Sequence, residues 1–248
     1  MKDNNLNNSK NVEKVNIFYK PDGQMTKYVY ELLKNSKEGN YNNLKQLTEE
    51  IEFQGSTLNL ALRNLIICIK PENPNHIKCL RLLLSNNIDL NYKYQKENNS
   101  TLLMEIFKKY ELSLMKEFLE NIKININNNL SNEEKEKIEI SEKQMIFTQK
   151  DSNNNNFLHF LDLNNNKNEL FSILEYIYDK YPYSNNSKIE ISNKIKEIIK
   201  SLSFERNNDG NTVFNISLFQ GLHKFILKLI SEYGYISNIN SSGIKHLN

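Results

Sequence analysis

One segment near the end of the sequence carries two short apolar patterns that are separated by a single glycine. In residues 208–234, the turn signal Asp-Gly-Asn-Thr precedes the first pattern, and Gly221 separates it from the second. Thr212 can cap a helix through its hydroxyl group, and Gly221 can adopt the left-handed conformation that ends a helix. The second pattern places four apolar residues on one helical face: Phe225, Ile226, Leu229 and Ile230. The segment therefore predicts a pair of helices with one apolar face.

The same plan recurs upstream in the sequence. Residues 99–125 and 154–177 repeat it, and residues 55–64 and 76–91 supply the two helices of another copy. Residues 28–50 form a further copy, with Gly39 at the turn between its helices. The predicted caps of the first helices are Ser56, Thr101, Asn156 and Thr212. A helix pair with one apolar face cannot bury that face alone, so the recurrence predicts a stacked array.

The copies differ in length. The interval from Ser56 to Thr101 is shorter than the two later intervals between caps, and the additional residues fall between the predicted helices, at 65–75, 126–150 and 181–205. In the second insertion, Ser131 and Glu134 predict a capping box that opens a solvated helix over residues 131–144. In the third insertion, five apolar residues form a helical stripe: Ile191, Ile195, Ile198, Ile199 and Leu202. This stripe predicts packing against the array, with docking to a partner or an anionic membrane surface as the alternative.

These segments resemble the ankyrin repeat. Asp209–Thr212 is similar to the opening turn of that repeat, and Phe157-Leu158-His159 is similar to its Pro-Leu-His triplet. Leu58–Ala61 follows its Leu-His-x-Ala pattern, and residues 76–91 follow its second half, with Asn87 in place of the usual glycine. The caps nevertheless stand farther apart than the roughly 33 residues of an ordinary ankyrin repeat.

The resemblance implies an all-α, ankyrin-type helical solenoid with short β-hairpin connections and inserted helices. It also implies that His159 ties the turn of one repeat to its neighbour. Another solenoid of longer helix pairs is the alternative fold.

The array is expected to cover most of the chain. Residues 1–25 are polar and predict a disordered segment, and residues 26–236 form the repeats. The approximate copies are 26–53, 54–97, 98–150, 151–206 and 207–236. Residues 237–248 form either a polar tail or the start of a truncated further repeat, because Ser241-Ser242-Gly243 is similar to another opening turn.

Charge and cysteine usage limit the class of protein. The chain has 32 basic and 30 acidic residues, a net charge of +2 that does not favour nucleic acid as the main partner. The N-terminal residues lack the apolar core of a secretory signal, and no apolar run is long enough to span a bilayer. Two cysteines are too few for a disulfide framework. We therefore expect a cytoplasmic protein, with the nucleus as a second possible location.

Chemical motifs are not evident in the sequence. It contains no Gly-rich phosphate loop, nucleophile elbow or His-Glu-x-x-His pattern. Cys68, His76 and Cys79 lie close together, but a zinc site needs a fourth ligand, so buried, unliganded cysteines are the simpler interpretation. The sequence thus predicts no catalytic residues, no metal site, no cofactor and no enzymatic activity.

The resemblance implies a partner-binding surface on the concave face, made of hairpin tips and the exposed ends of the first helices. Carried over by position, the candidate residues are Arg63, Asn64, Tyr92, Lys93, Tyr94, Lys108, Lys109, Tyr110, Phe219 and Gln220, with Asn164 and Asn165 at the equivalent point of the fourth copy. The predicted function is that of a monomeric protein-binding module or adaptor whose partner is a protein of unknown identity. One alternative is an N-terminal scaffold segment of a larger signalling or ubiquitin-ligase protein, and the other is an enzyme.

Overall fold

The computed structural model describes residues 15–17, 27–122, 130–161, 167–177 and 197–233. Most of these residues are helical, which confirms the all-α class. The chain divides into two compact units, residues 1–83 (unit 1) and residues 84–248 (unit 2), and the division falls inside the predicted second copy.

The described part of unit 1 contains four helices: α1 (Lys27–Glu38), α2 (Tyr41–Glu50), α3 (Gly55–Cys68) and α4 (Pro74–Leu84), the last of which ends one residue inside unit 2. Helix α1 packs against both α2 and α3. The core of unit 1 is built from apolar residues on each of its four helices: Val29, Leu32, Leu44, Leu47, Leu58, Ala61, Leu62, Leu65, Leu80 and Leu83. The apolar positions recur every three to four residues, which is the spacing that places them on one face of each helix.

A short parallel strand pair also belongs to unit 1. Strand β1 (Val15–Ile17) pairs with β2 (Ile51–Phe53), with Val15 opposite Ile51. The sequence predicts antiparallel hairpins as connections and disorder for residues 1–25, so this pairing differs from both expectations. The reason is that β2 offers unpaired backbone groups, which an extended segment from elsewhere in the chain can satisfy.

The turn between α1 and α2 depends on a close contact with a histidine. Gly39 is buried and has a φ of +67°, the left-handed conformation that suits a glycine at this turn. The His76 ring lies directly against Gly39, so a Cβ atom at this position would overlap the ring. Nδ1 of His76 accepts a hydrogen bond from the N–H of Lys70 at 2.8 Å. His76, in the first turn of α4, thus contacts both the α1–α2 turn and the segment that follows α3.

Unit 2 contains α5 (Leu102–Phe107), α6 (Leu112–Asn121), α7 (Asn132–Thr148), α8 (Lys167–Glu175), α9 (Val213–Phe219) and α10 (His223–Tyr233). It also contains two 3-10 helices, Gln95–Glu97 and Phe157–Phe160, and residues 197–202 are helical. The 3-10 helix Phe157–Phe160 stands where the sequence predicts the first helix of the fourth copy.

The helix pairs α5–α6 and α9–α10 have equivalent residues at equal distances in sequence from their caps. Their caps are Thr101 and Thr212, and each accepts a hydrogen bond from a backbone N–H of its helix. Tyr110 and Gly221 lie at the turns between the helices, at the same distance in sequence from their respective caps, and both have positive φ. Asn156 caps the intervening 3-10 helix in the same way. Three of the four predicted caps are therefore confirmed.

The fourth predicted cap is wrong. Ser56 lies inside α3, which begins at Gly55, and the residue that precedes the helix is Gln54. Strand β2 ends at Phe53, immediately before this point, so the chain enters α3 directly from a strand and not from a turn of the Asp-Gly-Asn-Thr type.

Successive elements of unit 2 pack against one another in order. Helix α5 contacts the 3-10 helix Phe157–Phe160, which in turn contacts α9, and α6 packs against α8. The rings of Phe107 and Phe157 meet edge to face, with 5.4 Å between their centroids. This arrangement buries the predicted apolar face of α6, formed by Leu114, Met115, Phe118 and Leu119.

The second and third insertions both contribute to the core of unit 2 through their described residues. Helix α7 opens with the predicted capping box between Ser131 and Glu134, and it extends beyond residue 144 because Ile146 and Phe147 are buried. Ile199 and Leu202 are fully buried, which confirms that the described part of the third insertion packs against the protein. Ile191 and Ile195 lie outside the described residues.

Replacing Gly39 with alanine should destabilise the protein by about 3 kcal/mol, since the left-handed backbone costs roughly 1–2 kcal/mol and the overlap with His76 adds a comparable amount. Gly210→Ala is the matched control, because Gly210 has a φ of +77° but no atom lies within 4 Å of the place that a Cβ would occupy. The control should cost only about 1 kcal/mol. Urea unfolding measures both. If the added cost at Gly39 persists in a His76→Ala background, contact with the ring is not its cause.

Candidate functional site

Three turns in unit 2 stack on one another, and we call residues 94–100, 151–155 and 207–211 the turn ladder. In the last two turns, the first residue donates its N–H to the carbonyl of the fifth, from Asp151 to Asn155 at 3.0 Å and from Asn207 to Asn211 at 2.9 Å. The side-chain oxygen of the first residue accepts hydrogen bonds from the N–H groups of the third and fifth residues. Asp and Asn side chains commonly support turns in this way. The two turns therefore share one conformation in successive copies.

Backbone hydrogen bonds connect each turn to the next. Ser152 donates its N–H to the carbonyl of Asn98 at 2.8 Å, and Asn208 donates to the carbonyl of Asn153 at 2.9 Å. Side chains add to these links. For example, the Asn207 side-chain amide donates to Oδ1 of Asn155 at 2.9 Å. The turn ladder thus holds the tips of successive copies in a fixed relation.

The first turn of the ladder is longer than the other two. Tyr94 and Ser100 form an antiparallel bridge, so this connection is a short hairpin of the predicted kind. Lys93, beside the bridge, donates from Nζ to the carbonyl of Lys150 at 2.8 Å. The base of this hairpin is consequently tied to the residue that precedes the second turn.

His159 connects the 3-10 helix to the third turn. Its Nδ1 accepts a hydrogen bond from the N–H of Asn156 at 3.2 Å, which leaves Nε2 to donate to the carbonyl of Asn211, also at 3.2 Å. This contact with the following copy is the one that the resemblance implies. Burial lowers the pKa of His159, against the opposing effect of hydrogen bonds to the backbone of Asn211 and Glu205 and of the Glu205 charge. The ring is therefore neutral near pH 7.

The residues predicted to contact a partner differ widely in exposure. Lys93 and Phe219 are exposed, Tyr94 and Tyr110 are buried, and the others are intermediate: Arg63, Asn64, Tyr92, Lys108, Lys109 and Gln220. Arg63 and Asn64 lie on α3 in unit 1, whereas the remaining eight lie in unit 2. Asn164 and Asn165 fall outside the described residues.

The burial of Tyr94 and Tyr110 corrects the expectation that their rings are presented to a partner. Tyr110 has a φ of +52° at the α5–α6 turn, and its hydroxyl donates a hydrogen bond to the carbonyl of Phe160. The Tyr110 ring packs beside Phe107, with 6.0 Å between centroids. Tyr94 is only 3% exposed. Tyr110 therefore connects the α5–α6 turn to the 3-10 helix, and Tyr94 packs beside Tyr92, with 5.2 Å between ring centroids.

Lys108 lies in the same neighbourhood as Tyr110. Its Nζ contacts Oε1 of Glu105 at 2.9 Å and lies 4.3 Å from the centroid of the Phe160 ring. Phe160 therefore receives the Lys108 ammonium on its ring and the Tyr110 hydroxyl on its carbonyl. The structure brings these two predicted residues together around a third residue that the sequence does not single out.

Phe219 is the exposed aromatic residue among the described candidates. It is the last residue of α9, and its side chain is 85% exposed. A neighbouring groove of about 590 Å³ lies between α8 and α10 and is lined by Phe171, Ser172, Leu174, Glu175, Gly221, His223, Lys224 and Phe225. Sequence reasoning does not find this groove, because its two walls come from separate copies. Phe219 and the groove both expose apolar side chains to solvent.

Cys68, His76 and Cys79 have surroundings typical of structural residues. Cys79 is fully buried on α4, and burial raises its pKa to about 11, so the thiol stays protonated near pH 7. Cys68 is half-buried at the end of α3. Within the described part of the chain, no group of three or more His, Cys, Asp or Glu residues is placed to hold a metal ion.

Comparison of the chain with protein-family models finds no match, and comparison with curated proteins finds none either. None of the described helices combines the length and the apolar character needed to cross a membrane.

Lowering the pH should destabilise unit 2 through His159. Because the folded pKa lies below the ordinary value of about 6.5, the unfolded chain binds more protons, and the stabilising contribution is complete above pH 6.5 and is lost as the pH falls below it. Urea unfolding at pH 7 and pH 5 should show a larger loss of stability for the native protein than for His159→Gln, which cannot titrate. Equal losses would exclude His159 as the source.

Tyr110→Phe should lower the free energy of unfolding by about 1 kcal/mol, because the Phe160 carbonyl loses its donor. Tyr30→Phe is a matched control, since Tyr30 is 59% exposed on α1. Thermal unfolding compares the two variants. An equally small effect at both positions would mean that the Tyr110 hydroxyl contributes nothing to stability.

Proposed function

We propose that this chain is an ankyrin-type repeat module that binds a protein partner through the exposed ends of its first helices and the tips of its turns. The partner-binding surface consists of Lys93, Lys109, Phe219 and Gln220, together with the groove between α8 and α10. We further propose that the protein acts as a monomer in the cytoplasm.

Three features support the ankyrin-type assignment. Caps and left-handed turn residues recur at matched positions, the turns are linked by backbone hydrogen bonds, and His159 bonds to the turn of the following copy. The last two features are contacts between neighbouring copies, as expected for an array whose stability comes from nearest-neighbour interfaces.

The exposure of Phe219 is the observation that carries the binding proposal. An aromatic side chain that is 85% exposed contributes nothing to the core and carries a cost in water, and aromatic residues are enriched among the residues that dominate binding energies. Its position at the end of α9 is equivalent to that of Lys108 at the end of α5, where the first helix of the third copy ends.

The other residues of the proposed surface are polar and lie at the corresponding points of their own copies. Lys93 is exposed beside the hairpin, Lys109 follows α5, and Gln220 follows Phe219. The two lysines favour a partner that carries acidic residues, mainly by raising the rate of association.

The combined change Lys93→Ala, Lys109→Ala, Phe219→Ala and Gln220→Ala should reduce retention of the partner by about tenfold or more, because it removes the exposed aromatic side chain and the polar residues of the proposed surface. Affinity purification from the source cell, followed by mass spectrometry, identifies proteins that the native chain retains and the variant does not.

A variant of the exposed ion pair on α7, Glu133→Ala with Lys137→Ala, is the matched control and should retain the partner fully. Circular dichroism should show the same helical signal for both variants. Retention of the same proteins by the fourfold variant and the native chain would place the binding surface elsewhere.

A further inference from the structure

Two neighbouring interfaces between the second helices of unit 2 are filled differently. Helix α6 packs directly against α8, whereas a groove of about 590 Å³ lies between α8 and α10. The three helices begin at equivalent points of their copies, because Leu112, Lys167 and His223 stand at the same distance in sequence after their caps. The two interfaces can therefore be compared position by position.

A tyrosine fills the closed interface between α6 and α8. Tyr176 directly follows α8, and its hydroxyl donates a hydrogen bond to Oε1 of Glu120 at 2.7 Å. The Nζ atom of Lys116 lies 5.4 Å from the centroid of the same ring, and Tyr176 is buried. One carboxylate and one cation of α6 thus hold a tyrosine from the following copy.

The α8 wall of the groove has residues at the same two positions. The equivalents of Lys116 and Glu120 are Phe171 and Glu175, and both line the groove. Phe171 is aromatic where Lys116 is a cation, but Lys224 supplies a cation from the opposite wall. Glu175 keeps the carboxylate, which can accept several hydrogen bonds at once. The groove therefore has the chemical groups that surround Tyr176 in the closed interface.

The residue equivalent to the tyrosine itself is different in the fifth copy. Glu232 stands at the position of Tyr176, so the sequence places no aromatic residue there. An ionised glutamate has no hydrogen-bond donor for Glu175. The groove is thus lined for an aromatic hydroxyl that the fifth copy does not supply at this position.

We infer that the groove between α8 and α10 binds a tyrosine side chain of the protein partner. The tyrosine hydroxyl donates to the Glu175 carboxylate, and its ring lies against Phe171 in an edge-to-face or offset arrangement. A groove of this size accommodates the ring together with part of the chain that carries it. The inference rests on the proposed function, because it names the side chain that the partner places in a groove of the proposed surface.

Two small probes test the groove without the partner. They are p-cresol, which has the ring and hydroxyl of tyrosine, and toluene, which lacks the hydroxyl. Each is titrated into the isotope-labelled full chain, and NMR spectroscopy follows the amide shifts of residues 171–175 and 221–225. The p-cresol should bind about fivefold more tightly than toluene, because only p-cresol can donate a hydrogen bond to Glu175.

Replacing Glu175 with alanine should remove this preference, so that both probes bind equally. Glu133→Ala, which changes an exposed carboxylate on α7, is the matched control and should keep the preference. Equal affinity of both probes for the native chain, a preference that survives Glu175→Ala, or shifts confined to other residues would each overturn the inference. So would a native chain that is dimeric by light scattering and becomes monomeric on Phe171→Ser, since a second copy would then be the occupant.

The probes and the partner give separate results. If the probes show no preference but the fourfold variant still loses the partner, the inference is wrong and the proposed function stands. If the preference is present and depends on Glu175 while the fourfold variant retains the partner, the groove binds a tyrosine and the proposed surface around Phe219 is wrong.

Discussion

Hydrogen bonds between successive turns are the constraint on which unit 2 depends. Its first helices are short: α5 has 6 residues and α9 has 7 residues, lengths at which a helix is not stable alone in water. The turns supply the stability that these short helices lack. Asp151 and Asn207 order their own turns, and the backbone of each turn forms hydrogen bonds to the next turn. With the turns fixed, the caps Thr101, Asn156 and Thr212 start each helical element at an equivalent point, and the apolar faces meet.

In unit 1, a different contact holds the turn between neighbouring helices in place. There the turn between α1 and α2 is held by the His76 ring against Gly39, and the same ring accepts a hydrogen bond from Lys70. Histidine thus connects neighbouring helix pairs in both units, by packing in the first and by two hydrogen bonds at His159 in the second. The neutral form of the His159 ring is required, since Nδ1 must accept and Nε2 must donate.

The exposed apolar residues of unit 2 follow from the same stacking. A position that is buried against a following copy is exposed where no described element packs on it, as the contrast between Phe107 and Leu218 shows. At the end of α9, Leu218 stands at the position equivalent to Phe107, and Phe219 projects beside it into solvent.

Local signals in the sequence determined the helices, three of the four caps and the left-handed turns at Gly39, Gly210 and Gly221, because capping and positive φ depend on residues within a few positions. The contact of His159 with the next copy also followed from its position in the repeat. Tertiary structure decided the rest. Tyr94 and Tyr110 became core residues, Tyr110 because the 3-10 helix of the following copy lies against it, and β1 formed because β2 had backbone groups to pair. Exposure is set by what packs against a side chain from distant parts of the chain, and the periodicity of one segment does not contain that information.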